Sequence, residues 1–110
     1  MVNKKSETGY GQAVEGIKIR TLVYGHKTLL CEIKMDRGST LPEHSHPHEQ
    51  TGYLVSGNIV LHIGGEPHDM RPGDSWCIPS DVLHHADIVK DSVAVEVFSP
   101  VREDYKKYHN

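Results

Sequence analysis

The sequence lacks the features of a nucleic-acid-binding or membrane-spanning protein. Its 110 residues carry 12 lysines and arginines against 15 aspartates and glutamates, and the net charge is -3 with histidine neutral. The basic residues are scattered, so no positive stripe is available to follow a phosphate backbone. No apolar run approaches the roughly 18 residues that a membrane-spanning helix needs. We therefore expect neither nucleic acid nor a membrane as a partner.

Cysteine is also scarce, with only Cys31 and Cys77, both in apolar strand-like runs. Neither cysteine has the short spacing to another Cys or His that a zinc finger requires. We expect both thiols to be buried and unpaired, as in a reducing compartment. The first ten residues are polar after Val2 and contain no secretory signal, so we expect a cytoplasmic protein.

A helical stripe of apolar residues is missing, and apolar residues recur instead with a period of two. In the segment 29–35, LLCEIKM, alternate residues fall on one face of an extended strand. Short segments rich in Gly, Pro, Asn and Asp separate such runs. The predicted strands are 17–24, 29–35, 50–56, 59–63, 75–78 and 93–98, with at most a short turn near 101–108. This pattern predicts an all-β sandwich or barrel.

The segment 42–50, PEHSHPHEQ, contains three histidines within five positions. Residues two apart on an extended chain point the same way, so His44, His46 and Gln50 can enter one cavity. His84, after the turn that begins at Pro79, can supply a third imidazole. Imidazoles and an amide oxygen suit a divalent transition metal such as Ni, Mn, Fe or Zn. We predict one such ion on these four residues, with His48 at the mouth and His85 on the opposite face.

The last predicted strand, VAVEVF, leaves two arrangements open. Its valines share one parity, and Ala94, Glu96 and Phe98 share the other. Either the valines fill the core and Glu96 faces water, or the valines lie under another element and Glu96 and Phe98 face the cavity. Trp76 and Ile78 alternate in their own strand and are expected in the core.

Two segments resemble the motifs of the cupin family. In residues 38–57, Gly38, His44, His46, Gln50 and Gly57 fall on the positions of the first motif, and Pro79 and His84 match the second. The resemblance covers residues 14–102 and implies a double-stranded β-helix, or jelly-roll barrel, between a flexible segment 1–13 and a tail 103–110. Asp81 stands where the second motif often has glycine.

Gln50 stands where many cupins carry glutamate. A neutral shell of three imidazoles and an amide leaves the ion its full charge, whereas a glutamate would lower that charge by one. The more positive ion is the stronger Lewis acid and is harder to oxidise. This favours isomerisation, hydrolysis or ring opening over oxygen chemistry.

The combination HSHPHEQ, IGGE, PGD and FSPVRED resembles the KdgF-like cupins of pectin and alginate catabolism. That resemblance implies the linearisation of 4,5-unsaturated monouronates to keto-acids, with Glu96, Phe98 and Arg102 as functional residues. The subgroup usually carries aspartate where this chain has Glu96. Without the resemblance, Arg102 would be assigned to a surface ion pair with Glu103 or Asp104.

Two other functions are compatible with the sequence. A cupin dioxygenase acting on a small organic substrate would use the same metal ligands, and a non-catalytic cupin would bind a small ligand or sugar without turnover. An apolar outer strand face also predicts a homodimer, because small barrels protect such faces and edges by pairing.

Overall fold

The computed structural model describes all 110 residues, and the all-β prediction is confirmed. Eight strands are followed by one short 3-10 helix. The strands are β1 (Gly11–Val14), β2 (Ile17–Tyr24), β3 (Leu29–Met35), β4 (Thr40–His44), β5 (Glu49–Ile63), β6 (Glu66–Met70), β7 (Ser75–Ile78) and β8 (His84–Ser99), and the helix is Glu103–Tyr108.

Two long strands hold the barrel together. The strand order is β1-β2-β3-β8-β5-β6, and every pairing is antiparallel; β4 also pairs with β8, and β7 with β5. The first half of β8 lies between β4 and β5, and its second half lies between β3 and β5. Because both long strands change partners along their length, the sheet wraps around an interior.

That interior is a single apolar core of 17 buried residues. In β3, alternate residues from Leu29 to Met35 are buried, as the period of two predicts. In the second half of β8, Ala94, Glu96 and Phe98 are buried, whereas the valines between them are only half-buried. The arrangement with Glu96 facing the cavity is therefore the one that the fold adopts.

The predicted strands 17–24, 29–35 and 75–78 match β2, β3 and β7. The predicted strands 50–56 and 59–63 are instead one strand, β5, because Gly57 forms a bulge rather than a turn. Gly57 has a φ of 94°, and a Cβ there would lie 2.4 Å from the carbonyl oxygen of Asp91. Strands β1, β4 and β6 and the first half of β8 were not predicted.

The chain ends pack on the barrel. The expected boundary at residue 13 falls inside β1, and residues before it contact β2, where Arg20 donates to Asn3 Oδ1 at 2.9 Å. The tail 103–110 contains the 3-10 helix and contacts β2, where Thr21 donates to the carbonyl of Tyr105 at 2.6 Å. Flexibility of residues 1–13 stays a prediction.

Both cysteines are unpaired, as expected. Cys31 is buried, but Cys77 is exposed, so its predicted burial is wrong. The short strand β7 covers the core with Trp76 and Ile78 on one face and turns Cys77 outward. The structure has no helix long and apolar enough to cross a membrane.

Candidate metal centre

Three histidines converge at one end of the barrel. His44 ends β4 and His84 begins β8, and the two residues are paired in the strand register. His46 lies in the connection between β4 and β5. One ring nitrogen from each histidine lies within 4.8 Å of the others, close enough to hold a metal ion. Asp81, in the turn before His84, has a φ of 64°, the left-handed conformation in which the motif often has glycine.

Backbone carbonyls orient all three imidazoles in the same way. The Nδ1 atoms of His44, His46 and His84 lie 2.8, 2.9 and 2.9 Å from the carbonyl oxygens of Pro42, His48 and Val82. A carbonyl can only accept, so each Nδ1 carries the proton and each Nε2 presents a lone pair. Nε2 of His84 is buried without a hydrogen-bond partner, as expected of a metal ligand.

Gln50 completes the set with an oxygen. Its Oε1 lies 3.0 Å from His46 Nε2, and its amide nitrogen donates to a carboxylate oxygen of Glu96. With the proton of His46 on Nδ1, the Oε1 and Nε2 lone pairs face each other, which is unfavourable unless a cation lies beside both. The residues therefore fit a metal ion.

The electrostatics also favour neutral imidazoles. Burial lowers the pKa of His84 from 6.5 to about 4, and burial, with the charge of Arg102, lowers the pKa of His46. A histidine must be unprotonated to bind a metal, so both are in the ligating form at neutral pH.

Glu96 lies beside this set and accepts a hydrogen bond from the Gln50 amide. Burial raises its pKa from 4.5 to about 7, although the hydrogen bond from Gln50, the nearby Trp76 indole N–H and the charge of Arg102 oppose the rise. The Trp76 indole nitrogen is buried without a hydrogen bond of standard geometry, so its contact with Glu96 is weak. A carboxyl with a pKa near neutrality can both take and release a proton.

Phe98 and Arg102 lie on the same cavity. Phe98 is buried, and its ring centroid lies 5.6 Å from that of His46. The Arg102 guanidinium lies 3.8 Å from the ring centroid of Tyr105 and forms a bidentate pair with Asp104, at 2.7 and 3.2 Å. Arg102 thus makes the ion pair expected of a surface residue and also lines the cavity.

The cavity is mainly apolar, since 13 of its 18 lining residues are hydrophobic. His44, Gln50, His84, Glu96, Phe98 and Arg102 all line it. His48 lies beside this set, with its ring 5.6 Å from that of His46, whereas His85 points to the other face and stacks on His62. Sequence reasoning missed Tyr105 as a lining residue, because it follows the last strand in a segment without a motif.

The cupin domain profile matches residues 31–100, which is more than half of the chain. The chain belongs to the cupin family. Its barrel is the cupin jelly roll, as the sequence resemblance implies, and the cavity that His44 and His84 line lies inside that barrel.

Relatives of this cupin include proteins named KdgF. This chain is 25% identical over 101 residues to the pectin degradation protein KdgF of Dickeya dadantii, and the match covers 90% of this chain and 92% of the Dickeya protein. The structure of KdgF from Halomonas sp. superposes with a TM-score of 0.89 at 28% identity, covering 94% and 96% of the two chains. An RmlC-like cupin from Shewanella frigidimarina also superposes at 0.89 with 28% identity, covering 94% of each.

Proposed function

We propose that this cupin is a metal-dependent enzyme that opens the ring of 4,5-unsaturated monouronates to give open-chain keto-acids. The observation that carries the proposal is the shared cavity, which Glu96, Phe98 and Arg102 line together with His44 and His84 of the histidine triad. Its relative from Dickeya dadantii, named as a pectin degradation protein, supports a uronate as the substrate class.

His44, His46 and His84 would hold one divalent transition ion together with the amide oxygen of Gln50. Nickel, manganese, iron and zinc all accept this donor set. When bound, the ion supplies Lewis-acid polarisation of substrate oxygens. Gln50 joins this site to the acid, because one amide group faces His46 and donates to Glu96.

Glu96 carries the proton transfers. An unsaturated monouronate is a cyclic hemiacetal with an enol ether and a carboxylate. Ring opening removes the anomeric hydroxyl proton, breaks the bond between the anomeric carbon and the ring oxygen, and leaves an aldehyde and an enolate. The enolate becomes a ketone when carbon 4 gains a proton, so one proton leaves and one is added. A carboxyl with a pKa of about 7 can serve both steps.

Arg102 and Phe98 bind and orient the substrate. The guanidinium offers a planar fork that matches the substrate carboxylate, which would share it with Asp104 or displace that side chain. Phe98 provides an apolar wall for the sugar ring. The apolar surroundings of the cavity strengthen the attraction between Arg102 and the substrate carboxylate.

The test is an assay on unsaturated galacturonate, followed by the loss of its conjugated ultraviolet absorbance under nitrogen. We expect turnover without oxygen, and a drop of about 10²–10⁴-fold in kcat for Glu96→Gln with the metal content unchanged. The matched control is Glu66→Gln on exposed strand β6, which should keep full activity.

Arg102→Lys keeps the positive charge but removes the planar guanidinium that can bind a carboxylate with two hydrogen bonds. Substrate binding should therefore weaken, and KM should rise more than kcat falls. Strict dependence of turnover on oxygen would instead establish a dioxygenase. Substrate binding without any turnover in the parent protein would establish a binding module.

We also propose that the protein forms a homodimer. Apolar side chains lie side by side on the outer face of the sheet, where Leu30 pairs with Val97 and Val95 pairs with Tyr53 on neighbouring strands. Tyr53 is 47% exposed and the next outward residue, Val55, is 49% exposed. Sedimentation equilibrium at micromolar concentration should give twice the chain mass, and a monomeric mass would contradict the proposal.

A further inference from the structure

A second group of histidine and carboxylate side chains lies on the outer face of the barrel. This group, which we call the outer cluster, consists of Glu43, His62, His85 and Asp87. His62 of β5 and His85 of β8 are directly opposite in the antiparallel register. Asp87 lies two residues after His85 on the same strand and therefore on the same face. The strands thus place two imidazoles and a carboxylate together.

The distances suit a small cation. His62 Nε2 lies 3.4 Å from Asp87 Oδ2, and one ligand atom from each of His62, His85 and Asp87 lies within 4.8 Å of the others. In tetrahedral coordination with bonds of 2.0–2.1 Å, ligand atoms are about 3.4 Å apart. The two rings are stacked, with centroids 4.0 Å apart and planes 13° from parallel. Because the in-plane lone pairs of two stacked rings are nearly parallel, these half-buried side chains would have to rotate to direct both lone pairs at one ion.

Glu43 orients one of the two imidazoles. Its carboxylate lies 3.4 Å from His85 Nδ1, a buried atom with no hydrogen bond of standard geometry. A carboxylate beside Nδ1 favours the proton on that atom and leaves Nε2 free to bind. This carboxylate–histidine pairing accompanies metal-binding histidines in many proteins.

We propose that the outer cluster is a second metal site, specific for divalent ions that prefer imidazole, such as zinc. His62, His85 and Asp87 are its ligands, Glu43 is a positioning residue, and water completes the coordination. Because residues alternate across the sheet, His84 faces the cavity while His85 faces outward. The two ions would therefore lie on opposite faces of the same strands, with separate ligands.

The test counts zinc ions per chain after equilibrium dialysis of the folded protein, with elemental analysis. We expect two ions in the parent protein, one in His62→Asn, and one in His85→Asn. The matched control is His68→Asn, an exposed histidine on the neighbouring strand β6, which should retain two ions. Glu43→Gln should weaken binding of the second ion by about 10–100-fold. Circular dichroism establishes that each variant folds.

Failure of this proposal is distinguishable from failure of the inner site. His46→Ala should lose the inner ion and keep the outer one, so that its remaining ion is removed by adding His85→Asn. If His62→Asn and His85→Asn bind as many zinc ions as the parent protein, the outer site is refuted, whatever His46→Ala does.

Discussion

Replacing Glu96 by glutamine in the metal-free protein tests whether this carboxyl is buried as the structure shows. Burial raises its pKa in the folded state from 4.5 to about 7. Below pH 4.5 the carboxyl is protonated in both the folded and the unfolded chain and has no effect. Between pH 4.5 and 7 the unfolded chain loses this proton and the folded chain keeps it, so stability falls as the pH rises.

The size of the effect follows from the shift. One pKa unit corresponds to about 1.4 kcal/mol, so Glu96 should remove about 3 kcal/mol of stability between pH 4.5 and 8. His46 and His84 act in the opposite direction, since their lowered pKa values destabilise the fold as the pH falls below 6.5. Both histidines are present in Glu96→Gln, so the difference between the two proteins isolates the carboxyl.

Urea unfolding at half-unit steps of pH from 4.5 to 8, with chelator present, measures this difference. The free energy of unfolding of the Glu96→Gln variant, relative to the parent protein, should rise by about 3 kcal/mol across the range and level off above pH 7. If the difference is constant with pH, Glu96 is not held as a neutral buried acid, and its proposed role in proton transfer loses its basis.

Two further substitutions test the packing around the site. Leu54 is fully buried, so Leu54→Ala should cost about 2–5 kcal/mol in urea unfolding, whereas Val55→Ala, at a 49% exposed neighbour, should cost about 0.5 kcal/mol or less. A Cβ on Gly52 would lie 2.3 Å from Trp76 Nε1 and Cε2, so Gly52→Ala must displace the one tryptophan and shift its fluorescence. Gly25→Ala, where nothing lies within 4 Å, should leave the emission unchanged.

The strands that could be predicted are those whose two faces differ in polarity. Strand β3 alternates strictly, and its bounds were predicted correctly. Strand β6 has the sequence EPHDM, with four exposed residues and a proline, so nothing in its composition indicates a strand. It forms because Met70 is buried and because β5 continues past Gly57 and offers an edge for pairing. This pairing depends on tertiary structure, so the local sequence of β6 does not predict it.

The convergence of His44, His46 and His84 could be predicted because metal binding requires particular residue types at particular spacings. The face of the strand on which the Glu96 side chain lies could not be predicted, because the valines on its strand are apolar enough to fill a core. In the fold those valines lie on an outer face next to other apolar side chains, such as Leu30 and Tyr53. Only the closed barrel, in which His44 of β4 and His84 of β8 line the cavity, determines which alternate residues of the strand face inward.

The presence of glutamine at position 50 is explained by its partner. Its amide nitrogen donates to Glu96, and its oxygen faces His46. An ionised glutamate at position 50 could not donate, and it would place two carboxylates in contact within a buried site, where like charges repel strongly. One of the two would then stay protonated at neutral pH. The neutral amide thus avoids a second buried charge beside Glu96, and its hydrogen bond opposes the rise in pKa that burial causes. In the reaction that we propose, the residue that departs from the common cupin pattern would therefore keep Glu96 available for proton transfer.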